Sequence, residues 1–95
     1  MSAREIRFLN LEKDTMVLSL KHHRSVQRLM ERNLAEAPDD HWRFIQHCTE
    51  TLADAKSEFA VAAFSLLNVI RDIHTLQIGN ADAASAEHRA IVEAI

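Results

Sequence analysis

Residues 45–76 read IQHCTETLADAKSEFAVAAFSLLNVIRDIHTL, and one pattern in them decides the fold. Ile45, Cys48, Leu52, Ala55, Phe59, Ala62, Leu66, Val69, Ile73 and Leu76 follow one another in strict steps of three and four, and all are apolar. A repeat of about 3.5 residues keeps one seam of a helix turned toward a neighbouring helix, as in coiled coils and antiparallel bundles. The stretch therefore predicts one long helix over about residues 40–78, roughly 58 Å if unbroken. Asp54–Ser57 is the weak point for a break, although the seam crosses it without losing phase. Gly79 and Asn80 supply the C-terminal stop.

Upstream, Pro38 biases Ala37 out of helical geometry and ends a first helix near residue 36. Its start is open. Ser2-Ala3-Arg4-Glu5 has the form of a capping box, which favours about residue 3. Ile6-Arg7-Phe8 alternates like a strand, and Asn10 as N-cap would favour about residue 11. Asp39 or Asp40 is the expected N-cap of helix two. A short third helix over about 83–94 follows Asp82 and ends in Ala90-Ile-Val-Glu-Ala-Ile95.

Composition agrees with an all-α chain built as a helical hairpin plus a short helix. The 95 residues contain one Gly, one Pro and no Tyr, and the Gly and Pro both lie between the periodic segments. Hydrophobic residues reach 47 %, but fourteen are alanines, so one small domain of this kind has a thin core. Thin cores are often completed by association. Folding back at Pro38 sets Arg28 level with Cys48 and Leu20 level with Lys56. If helix one starts late, the segment beyond about residue 65 lacks a hairpin neighbour, yet Phe59–Ile70 is apolar almost all round. Helix three can cover one flank of it. A second protomer is expected on the other, giving a homodimer with a four-helix-bundle-like core in which His23, Gln27, Leu52, Phe59, Leu66 and Ile73 form the seam.

The single Cys48 excludes an internal disulfide framework and fits a reducing compartment. Charged Arg4, Glu5 and Arg7 leave no room for a secretory apolar segment at the start, so the expected location is cytoplasmic. The longest wholly apolar run, Phe59–Phe64, is far short of a membrane span, and no membrane partner is expected.

The stretch KHHRSVQRLMER, residues 21–32, gathers the candidate chemistry. At about 100° per residue, Lys21, Arg24, Arg28 and Arg32 fall in one outward row, while His23 turns to the side of Met16, Leu20, Met30 and Leu34. The plain reading of the row is a solvated helix face. The functional readings are docking to an acidic protein surface or, as an alternative, to nucleic-acid phosphates. The overall charge of −3 and the lack of a groove-reading motif weigh against nucleic acid. Glu50, Asp54 and Glu58 form an acidic row that could oppose the cations between molecules.

His23 with Gln27 reads first as a polar step that fixes helix register. A phosphorelay histidine at His22 or His23 is a third functional reading, without the usual following Lys and Gly. No pair among His22, His23, His41, His47, His74 and His88 stands three or four apart, so neither metal nor cofactor is expected. No spacing for nucleophilic catalysis is present, and the chain reads as non-enzymatic. Trp42 reads either as a plug closing the Pro38 end or, with Arg43, Arg32 and Arg28, as a partner-binding patch. Together these features predict a small interaction protein of the regulator, inhibitor, adaptor or secretion-chaperone kind, which masks another protein's surface.

Overall fold

The computed structural model describes residues 3–95, and they form three α-helices with no strand among them. Helix α1 runs Ala3–Glu36, α2 runs Trp42–Ile78 and α3 runs Ala84–Ala94. The molecule is a rod, 60 × 22 × 15 Å. Its radius of gyration is 17.4 Å, against about 12 Å for a compact chain of this length.

The early start of helix one is the one adopted. Asn10 is not a cap: its side-chain amide donates to the Ile6 carbonyl one turn back (3.0 Å), inside a continuous helix. The capping box rests on Ser2, which lies outside the described residues. Helix α2 is continuous through Asp54–Ser57. Its N-cap is His41, without a side-chain capping bond, rather than Asp39 or Asp40, because a turn from Pro38 to His41 (backbone N–H to carbonyl, 3.1 Å) delays the helix. At the other end Gly79 takes φ 90° and its N–H donates to Thr75, the left-handed stop that glycine permits.

Every residue of the α2 seam is buried or half-buried. Facing it, α1 presents Ile6, Leu9, Lys13, Met16, Leu20, His23, Gln27, Met30 and Leu34, again in steps of three and four and again none exposed. The two seams thus close on each other within one chain. The register differs from a fold centred on Pro38: His23 reaches Glu58 rather than Ala53, and Arg24 reaches Phe59 rather than Leu52. The five-residue turn and the later start of α2 account for the shift. Because α1 begins at residue 3, α2 also keeps a hairpin neighbour well past residue 65, and Leu66, Val69 and Ile73 are buried.

The core sits where α3 folds back. Leu20, Leu66, Ile70 and Ala84 form a fully buried cluster, flanked by Met16, Val17, Phe59, Ile91, Val92 and Ile95. Polar contacts hold α3 in place. His74 Nε2 donates to Glu87 (3.0 Å), whose carboxylate also lies 3.9 Å from the Lys13 ammonium. His88 Nε2 donates to the Ala63 carbonyl (2.7 Å).

Candidate functional site

The cationic row does not stand free as a whole. Arg24 lies over the Phe59 ring, 4.1 Å from its centroid, and donates to Gln27 (2.9 Å). Arg28 donates to the main-chain oxygen of Ile95 (2.9 Å), where the C-terminal end of α3 carries partial negative charge. Half of the row therefore secures the chain's own elements. Lys21 and Arg32 are exposed and make no ion pair among the described residues.

His23 is the polar step of the seam. Its Nδ1 lies 3.2 Å from the Glu58 carboxylate, and its Nε2 shares a hydrogen bond with the Ser19 hydroxyl (3.2 Å). Gln27 is satisfied within α1, between Arg24 and Glu31. His22 is exposed, its ring edge-on to that of His23. Among the described residues no three His, Cys, Asp or Glu side chains converge as metal ligands.

Trp42 is not a plug. It is 62 % exposed, with the Arg43 guanidinium 5.1 Å from its ring centroid, and Phe44 beside it is 44 % exposed. These residues, with Asp40 and His41, line a shallow concavity at the tip of the hairpin. Ser25, Arg28, Leu29 and Arg32 line a separate one on α1. The expected patch of Trp42, Arg43, Arg32 and Arg28 thus spans these two concavities, with Trp42 and Arg43 in one and Arg28 and Arg32 in the other.

A further exposed feature lies elsewhere. Phe8, Leu11, Thr15, Leu18, His22, Ser25 and Leu29 continue in steps of three and four along the back of α1, and every one is exposed. Phe8, Leu11 and Leu18 are 57 %, 55 % and 67 % exposed. This second seam has the same period as the buried one, displaced by two residues to the opposite side. Arg7, Asp14, Lys21 and Arg28 border it on one edge, Glu5 and Glu12 on the other, and Arg32 is the next step of the row. The polar residues within it hide the repeat from a search for uninterrupted apolar seams.

Helix α2 divides its apolar surface three ways. Leu66 and Ile70 join Leu20 and Ala84 in the buried cluster with Phe59, Ala62 and Ala63 packed against it; Val69 is buried; Ala60, Val61 and Phe64 are exposed. By length and composition α2 is also the one described helix apolar enough to cross a membrane. Its run between charged residues, Phe59–Ile70, measures about 18 Å, against a hydrocarbon core of about 30 Å. Comparison with known proteins returns no match: no family model fits the chain, and neither a curated protein nor a solved structure resembles it significantly.

Proposed function

We propose that this chain is a small, non-enzymatic interaction module that works as a homodimer and masks the surface of a partner protein. The observation that carries this reading is the outer seam of α1. A three-four repeat of Phe8, Leu11, Leu18 and Leu29 over roughly 32 Å is the form in which one helix receives another. Solitary exposed leucines need no explanation, but a periodic row of them does. The mainly basic edge formed by Arg7, Asp14, Lys21 and Arg28, with Arg32 at the end of the row, fits an amphipathic helix with an acidic border. Trp42 at the tip offers a second anchor of the kind that dominates interfaces. The dimer is supported by the surface the folded chain leaves open. Its 6493 Å² compares with about 5,500 Å² for a globular monomer of this mass. The free, buried thiol of Cys48 suits a reducing compartment such as the cytoplasm.

The test is the double variant Leu11→Glu/Leu18→Glu. Both side chains face solvent and glutamate favours helix, so the fold is unaffected. Quantitative capture from the source cells should show a partner enriched by the native chain and lost at least tenfold with the variant. Equal capture of the same proteins by both would overturn the reading.

A further inference from the structure

The homodimer reading leaves open which surface pairs, and the back of α2 answers it. Ala53, Ser57, Ala60, Phe64, Leu67 and Arg71 form a third row in steps of four and three. All are exposed except Leu67, which is half-buried. The row is graded along the helix: small residues occupy its first half and large ones its second. Neighbouring Val61 is 65 % exposed and Phe64 66 %. Beside them Leu67, His88 and Val92 line an open groove of about 350 Å³ between α2 and α3.

We propose that this row is the dimer interface, two α2 helices packing antiparallel about a two-fold axis level with Ala62. A row read backward against itself matches small with large only if it is graded, and this one is. In that pairing Ala60 faces Phe64 of the second copy, Ser57 faces Leu67, and Ala53 faces Arg71. The knobs thereby find holes, as close helix packing requires. Charge agrees with size. The hole around Ala53 is bounded by Glu50, Asp54 and Ser57, so the guanidinium of the second copy's Arg71 enters between two carboxylates. Glu50 otherwise accepts only the Gln46 amide (3.2 Å). The pairing is isologous and closes at two. The extra surface of the rod, about 1,000 Å² above a globular monomer, is of the size each partner contributes to a standard interface, about 800 Å². The two α2 helices become innermost, and the α1 seams are carried on the two outer edges, so the dimer presents two docking rows.

The test is sedimentation equilibrium on the full chain. The native protein should be a dimer at micromolar concentration. Arg71→Glu should weaken association at least tenfold, as should Glu50→Arg/Asp54→Arg, and combining all three changes should restore it. Ala60→Cys/Phe64→Cys should oxidise to a covalent dimer. A native chain that sediments as a monomer at 100-fold higher concentration overturns the dimer reading together with this one. A native dimer that survives both charge reversals, or reversals that fail to rescue each other, overturns this interface alone and leaves self-association standing.

Discussion

Leu18 and Leu20 are two positions apart on α1, and the structure assigns them opposite fates. Leu20 is fully buried against Leu66, Ile70 and Ala84, the point where all three helices meet. Leu18 is 67 % exposed. Truncating Leu20 to alanine removes a fully buried side chain and leaves a cavity, which costs about 3–4 kcal/mol. A chain of 95 residues has a total stability of about 5–14 kcal/mol, so the loss is a large fraction of it. With an unfolding entropy of about 0.2 kcal/mol per degree for this length, the melting temperature should fall by about 15–20 °C. Leu18→Ala truncates a mostly solvated side chain and slightly improves helix propensity, so it should stay within about 0.5 kcal/mol of the native chain. Circular dichroism melts at 222 nm, run in parallel at low micromolar concentration, make the comparison. Equal losses, or a larger loss for Leu18, would mean that α1 turns a different side to α2 and would refute the seam assignment.

Three further outcomes follow from the same geometry. Gly79→Ala places a Cβ where nothing lies within 4 Å but forces an L-residue to φ 90°, so it should cost about 1–2 kcal/mol of backbone strain and no more in a melt. Trp42, the only tryptophan, should be quenched by acrylamide in the folded protein almost as readily as in urea, and Trp42→Ala should leave the melting temperature nearly unchanged. Glu87→Ala severs the contacts of α3 with both His74 and Lys13, so amide exchange over residues 84–94 should quicken several-fold while the middle of the hairpin, around Leu52–Ile70, is little affected.

How much of this was legible beforehand depends on which residues occupy each repeat. The α2 seam is readable because all ten positions are apolar, and from it follows the long helix; Gly79 with Asn80 marks its stop, whereas its continuity through Asp54–Ser57 is left open by the sequence and is seen only in the structure. The facing α1 seam contains Lys13, His23 and Gln27, so its first half cannot be separated from a late helix start by hydrophobicity alone. Lys13 is half-buried by its aliphatic stem while its ammonium reaches toward Glu87, a placement composition does not announce. Trp42 is a core residue by type and a surface residue in fact, because α3 ends against Arg28 and leaves the tip covered by two helices only. The outer rows of α1 and α2 mix leucine and phenylalanine with threonine, serine, alanine and histidine, and only their exposure makes them visible as surfaces.

The His23–Glu58 contact matters beyond the stability it adds. Two seams with the same heptad repeat fit one another nearly as well when slid by a heptad, about 10 Å along the axis. Such a slide is a natural kinetic trap for a hairpin that zips from its turn. It would carry Glu58 away from His23 and Phe59 from under Arg24, and it would deny Arg28 its hold on the end of α3. These off-centre polar and stacking contacts are each modest, yet together they act as a vernier: only one setting of the two helices engages all of them. Their contribution is to proofreading during folding, and the cost of removing them would be read in refolding yield and heterogeneity before it was read in the melting temperature of the correctly folded protein.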